Sequence, residues 1–126
     1  DGTKRLLDMM PMIADAMAGK TVVVDEIDTG IHDLLMLKLV EALGEQIKGQ
    51  LIFSTHNTML LNALRPEAAY VIQEDSDGFK YVANITDVRT IKKNNNVQKM
   101  YLNGDFMGIP YMGFLDLDEV FNGEGE

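Results

Sequence analysis

At 126 residues, 46% hydrophobic and 25% charged, the chain is long enough for one domain with a real core and too short for a complete multidomain enzyme. A formal net charge of -9 argues against a bulk surface that grips nucleic acid or anionic membrane, so any phosphate ligand must be held by local chemistry. The absence of cysteine excludes disulfides and thiolate metal sites. No apolar run approaches the ~18 to 20 residues that span a bilayer, and the N-terminus lacks the basic-then-apolar order of a signal peptide, so a soluble, cytoplasmic protein is expected. The chain begins at Asp1 and enters a helical pattern at once, which reads as a fragment of a longer protein.

From Thr3 to Met17, Leu6, Met10, Ile13 and Met17 recur at helical spacing, with Thr3 as N-cap, Gly19 as the stop and Pro11 expected to kink or interrupt the helix. Thr21 to Val24 is a β-branched run without polar alternation, which predicts a strand buried on both faces and parallel to its neighbour. Asp33 to Lys48 is the clearest helix, since Met36, Leu39, Val40, Leu43 and Ile47 share one face and Lys38, Glu41, Glu45 and Lys48 fall elsewhere; Gly49 closes it. Leu51 to Ser54 predicts a second short buried strand, and Thr58 to Leu64 a short helix ended by Arg65-Pro66. Ala69 to Gln73 and Lys80 to Asn84 read as strands around the hairpin turn Asp75-Ser76-Asp77-Gly78. Beyond Asn84 the pattern weakens: Lys92 to Asn96 reads as a solvated loop, Val97 to Leu102 as a short helix, Asn103 to Gly113 as a Gly- and aromatic-rich segment, and Asn122 to Glu126 as a frayed tail. The order predicts an α/β layer of short parallel strands with helices and an antiparallel hairpin edge.

Ala14 to Thr21 reads A-D-A-M-A-G-K-T, close to a phosphate loop, but the context is reversed. A phosphate loop leaves a strand and opens a helix, so that backbone N–H groups converge on the phosphates. Here a helix ends and a strand begins, so a glycine cap is the better reading.

Val22-Val23-Val24-Asp25-Glu26 has the form of a Walker B motif, in which apolar residues bury a strand and deliver acids to its C-terminal tip, the edge where ligands collect in α/β sheets. Asp25 in that position helps hold Mg²⁺, and Glu26 orients or deprotonates the water that attacks a γ-phosphate. Solvated acids after a strand are the plainer alternative. The second strand ends in Ser54-Thr55-His56, and the chain has only two histidines, His32 and His56. A histidine one step past a strand tip, in register with the acids, could reach the same phosphate as Glu26. The largest share of the acidic excess also falls here, with six carboxylates against two lysines in residues 21–50.

The combination resembles the C-terminal part of the nucleotide-binding head of ABC-type, P-loop ATPases, in the AAA-like branch that holds the chromosome-maintenance and recombination ATPases and the OLD-like ATPases of phage defence. Val22 to Glu26 is similar to Walker B, Ile27 to Asp33 to the D-loop, and Ile52 to His56 to the switch-histidine loop. Gly2-Thr3-Lys4-Arg5 resembles the end of a signature motif whose serine would precede Asp1, and Tyr101 to Pro110 the closing segment of OLD-type ATPases. The likeness covers nearly the whole chain as one domain: residues 1–5, 21–33, 51–56 and a C-terminal extension over 97–126.

The resemblance implies ATP sandwiched between two heads of a homodimer. Asp25 is then the Mg²⁺-side acid, Glu26 the general base, His56 the γ-phosphate sensor, Gly2 and Thr3 part of the phosphate contact in trans, and His32 a D-loop residue at the dimer interface or in a local turn. No genuine Walker A sequence precedes these motifs. The expectation is therefore the C-terminal half of an ATPase head that by itself neither binds ATP tightly nor hydrolyses it, with any nucleic acid engaged by other parts and no membrane partner.

Two readings from other classes stand beside it. Asp75-Ser76-Asp77 supplies the D-x-D of a Toprim-like, metal-dependent nuclease, although acids in a Gly-ended turn also simply favour a hairpin. Alternatively the domain is a non-catalytic interaction module whose Met9, Met10, Met12 and Met17 meet a partner, with core filling as the plainer role. Lys92, Lys93 and Lys99 form the basic cluster, read either as a contact to DNA or RNA or as a solvated loop.

Overall fold

A computed structural model of the chain describes residues 2–109 and 117–123. The elements run α1 (Gly2–Met17), β1 (Thr21–Val24), α2 (Asp33–Gln46), β2 (Gln50–Phe53), two 3₁₀ turns (Thr58–Asn62 and Pro66–Ala68), β3 (Tyr70–Glu74), β4 (Lys80–Asn84), α3 (Ile85–Val88), α4 (Val97–Leu102) and α5 (Leu117–Asn122). The predicted α/β class holds, with β1 and β2 parallel and β3 and β4 antiparallel as separate two-stranded sheets.

α1 corrects two expectations. Thr3 lies inside the helix rather than capping it, because the helix already begins at Gly2, and Pro11 does not end it. Proline deprives the carbonyl four residues back of its helical partner. That residue is Leu7, which like Pro11 lies on the exposed side, where water can take the carbonyl. The buried face is also rotated from the predicted stripe: Met9 and Ala16 are buried with Leu6, Met12 and Ile13 packed alongside, whereas Met10 and Met17 are exposed. The helix closes as expected around Gly19, whose φ of 104° lets its N–H reach the Ala16 carbonyl while the Lys20 N–H reaches that of Asp15, a Schellman arrangement. The A-D-A-M-A-G-K-T stretch is thus a helix exit into a strand.

β1 and β2 pair from Thr21↔Gln50 to Val24↔Phe53. The pairing is parallel as predicted, but burial is one-sided. Val22, Val24, Leu51 and Phe53 face the core, while the register partners Val23 and Ile52 are 69% and 47% exposed. Among the described residues, helices cover one face of this two-stranded sheet, so the β-branched run forms the expected strand but not the expected two-sided burial. α2 connects the two strands and buries Met36, Val40 and Leu43; it ends at Gln46, two residues before the predicted Lys48, with Ile47 as C-cap. Gly49 serves a different purpose from helix closure. A Cβ there would stand 2.1 Å from the Lys20 carbonyl oxygen, and its N–H donates to the Ala16 carbonyl, so the chain passes directly over the α1 exit.

One apolar cluster joins Met9, Val24, Ile27, Ile31, Met36, Val40 and Leu60; a second joins Ala69, Val71, Ile85, Val97 and Phe106. The 3₁₀ turn Thr58–Asn62 is shared, since Leu60 belongs to the first and Leu61 packs against the second. Phe106 is fully buried, and its carbonyl accepts from the Gln73 side chain at 2.9 Å, which ties the described part of the 103–113 segment to the hairpin. Residues 110–113 and 124–126 of the predicted closing segment and tail lie outside the described residues; Asn122 ends α5.

Candidate functional site

The parallel register carries the tips of β1 and β2 to the same edge, and the pairing continues past the strands. Ser54 N–H donates to the Val24 carbonyl at 3.1 Å, and Ile27 N–H donates to the Ser54 carbonyl at 3.0 Å. Between these two bonds the chain must fit Asp25 and Glu26 opposite Ser54 alone. Glu26 absorbs the extra residue by adopting a φ of 50°, a left-handed conformation uncommon for a side-chain-bearing residue. Strain of this kind collects at functional positions that the surroundings over-determine. Ser54 is what over-determines it: its hydroxyl accepts the Glu26 N–H at 2.7 Å and donates to the Asp25 carboxylate.

That clamp sets the two acidic side chains apart. Asp25 is drawn back onto Ser54, while Glu26 projects outward, 58% exposed, with its Oε1 3.8 Å from Nε2 of His56, itself 89% exposed. An exposed pair at this distance contributes little to stability, so its interest is positional: a carboxylate and an imidazole open to solvent at one strand edge. The structure therefore places Glu26 beside His56, and Asp25 on Ser54, at one strand edge.

Behind His56, Asn57 is the buried polar side chain of the described core. Its Oδ1 accepts the Met59 N–H, capping the 3₁₀ turn, and its Nδ2 donates to the Asp33 carbonyl at 3.3 Å. The loop bearing His56 is thus fastened to the start of α2. Neither Ser54 nor Asn57 was assigned a role from the sequence; a hydroxyl and an amide flanking the histidine were the signal, readable only once the strand register is known.

The other predicted residues sit elsewhere. His32 is the N-cap of α2, its Nδ1 accepting the Leu34 N–H at 3.2 Å, which supplies the local turn role. Gly2 packs against the loop after Glu26: a Cβ on it would come 3.3 Å from the Gly30 carbonyl oxygen. That loop is two successive turns, closed by Thr29 N–H to the Glu26 carbonyl and Ile31 N–H to the Asp28 carbonyl, and anchored by buried Ile27 and Ile31. Thr3 is exposed on the first turn of α1, and no hydrogen bond joins Gly2 or Thr3 to Asp25, Glu26 or His56 among the described residues. Arg5, on the same turn, has its Nε enclosed without a hydrogen-bond partner.

For a metal ion, Asp25 and Ser54 offer hard oxygen donors. Among the described residues no group of three or more His, Asp or Glu side chains is placed to enclose a cation.

The D-x-D of the nuclease reading is used structurally. Asp75 Oδ1 accepts the N–H groups of Asp77 and Phe79, each at 2.9 Å, and Oδ2 accepts the Tyr81 hydroxyl at 2.9 Å. The Phe79 N–H bond foremost, with the Tyr81, Asp77 and Gly78 groups adding to it against a smaller opposing effect of burial, holds the Asp75 carboxyl below its ordinary 3.8. These are the bonds of a hairpin turn. The methionine-face reading fares no better as a unit, because Met9 is core and Met10 and Met17 are not.

No helix among the described residues is long and apolar enough to cross a membrane. No curated protein and no solved structure matches the chain. Residues 1–62, just under half of it, match the family model described as "AAA domain, putative AbiEii toxin, Type IV TA system". The stretch that holds Asp25, Glu26, Ser54 and His56 is therefore similar to AAA-type, ATPase-like domains.

Proposed function

We propose that the β1–β2 edge is one side of a Mg²⁺-dependent ATP-hydrolysing site, in a protein of the toxin–antitoxin kind that the family description names or of the phage-defence kind that the sequence resemblance implies. The observation that carries this reading is the Ser54 clamp, which draws Asp25 inward and turns Glu26 out to within 3.8 Å of His56. Asp25, with Ser54 bonded to its carboxylate, would hold the cation. Mg²⁺ when bound offsets the negative charge of the β- and γ-phosphates. Glu26 accepts a proton from the attacking water, and His56 donates to a γ-phosphate oxygen beside it. The positive backbone cradle of a phosphate loop has no counterpart at Ala14–Thr21, so that part is supplied by another segment, as in an ABC-type head of the OLD-like kind whose second protomer closes over the nucleotide. Gly2, Thr3 and His32 are assigned to that closure, at the α1 start and the α2 cap.

The test is phosphate release from ATP by the chain joined to a segment bearing a strand and a G-x-x-x-x-G-K-[ST] loop. Glu26→Gln should lower turnover by about 10²–10⁴-fold, the ordinary contribution of a general base, while nucleotide binding persists. Turnover within a fewfold of the parent would remove Glu26 from that role.

A further inference from the structure

We infer that the groove between residues 61–67 and residues 91–97 binds the sugar–phosphate backbone of single-stranded nucleic acid. The groove encloses about 440 Å³ and is lined by three cations, Arg65, Lys92 and Lys93, against one carboxylate, Glu67. In a chain of net charge -9 this is a local reversal of sign. The sequence groups Lys92 and Lys93 with Lys99; the groove's lining keeps Lys92 and Lys93 without Lys99, which sits on α4, and adds Arg65 from a segment 27 positions earlier than Lys92.

The lysine loop is held in place. Asn95 Oδ1 accepts the Lys92 N–H at 2.7 Å, and the Asn62 side chain donates to Asn96 Oδ1 at 3.1 Å while accepting the Gln98 N–H at 3.2 Å. Gln98 also donates to the Thr58 hydroxyl at 3.1 Å. The expected solvated loop is thus exposed but clasped to the 3₁₀ turn Thr58–Asn62, with its cations presented on a fixed backbone. A cationic rim on a pre-ordered backbone suits a repeating phosphate, because little ordering entropy is lost on binding.

The chemistry of the walls chooses among polyanions. Leu61, Leu64, Pro66 and Ile91 give an apolar floor that accepts sugar faces, which an acidic peptide lacks. The cations come from both walls of one groove, Arg65 on one and Lys92 and Lys93 on the other, which places a single line of phosphates between them. No aromatic side chain lines the groove, so it offers no stacking platform and should read backbone rather than base.

The experiment is fluorescence anisotropy of a short fluorescein-labelled oligothymidylate, and of a mixed-sequence strand of equal length, titrated with the full chain at several salt concentrations. With three cations engaged, log K should fall against log salt with a slope of about -2. Arg65→Ala, Lys92→Ala and Lys93→Ala should each weaken binding about fivefold and flatten the slope by about 0.7. Glu67→Gln should tighten it, and Lys38→Ala and Lys48→Ala on α2 should leave it unchanged, with circular dichroism verifying the fold of each variant. Unchanged affinity in a folded triple variant overturns the site. Equal displacement by polyglutamate or a phosphopeptide, or tighter binding of duplex, overturns the assignment to a single strand.

Discussion

Glu26 offers a substitution whose stability effect runs against the usual order. Its φ of 50° places a side-chain-bearing residue in left-handed backbone, which costs roughly 1–2 kcal/mol for any L-residue and nothing for glycine. Glycine in turn loses about 0.4–1 kcal/mol more than alanine in chain entropy on folding. The strain outweighs the entropy, so Glu26→Gly should be about 0.5–1 kcal/mol more stable than Glu26→Ala, where an extended strand residue would show the reverse. The two variants lose the same carboxylate, and the exposed 3.8 Å contact with His56 contributes little to either, so the difference isolates the backbone. Urea unfolding of the full chain is the assay. With a denaturant slope of about 1–3 kcal/mol/M, the midpoint of the glycine variant should lie roughly 0.2–1 M above that of the alanine variant. A glycine midpoint at or below alanine's would show that Glu26 is not held in this conformation, and the clamp would lose its meaning.

Gly49→Ala places a methyl group 2.1 Å from the Lys20 carbonyl oxygen and 2.6 Å from the Gly19 carbonyl carbon, both backbone atoms. The displacement should cost about 1–3 kcal/mol, read as a fall in Tm of about 3–10 °C; an unchanged Tm would mean the crossing is looser than described. For Asp75, a folded pKa held below the ordinary 3.8 means that the turn's carboxylate contribution is fully present above the unfolded value and disappears as pH falls through the folded one. The amide resonances of Asp77 and Phe79 should therefore move together with a midpoint below 3.8, and Asp75→Asn should abolish that transition. A midpoint above 3.8 would contradict the bonding described.

Asp25, Glu26 and His56 were legible because strand tips are a local property: a β-branched run followed by acids, and a second run followed by a histidine, align whenever the strands are parallel and in register. Ser54 was invisible in the same string, since a serine at a strand end has many uses and only Val24↔Phe53 pairing places its hydroxyl between Asp25 and Glu26. The α1 face was misplaced because the helix's four methionines and two leucines blur which helical stripe is apolar, and contact with Val24 and Ile27 settles it on Met9. The two-sided burial of β1 was expected from composition, whereas burial depends on how many elements are present to cover a sheet. Arg65 joins Lys92 and Lys93 through tertiary packing, which no window along the chain contains.

The parallel pairing of β1 and β2 also sets an order of assembly. Tyr81 and Asp75 are six positions apart and meet across a turn; Ser54 and Asp25 are 29 apart and meet only after the α2 crossover has closed. Closing the longer loop costs about 1.4 kcal/mol more in chain entropy, and hairpins form in microseconds. The hairpin unit should therefore be in place while the acidic edge is still two unconnected strand tips. During refolding from denaturant, the carboxylates of Asp25 and Glu26 belong to an unorganised edge until the crossover closes, after the hairpin has formed.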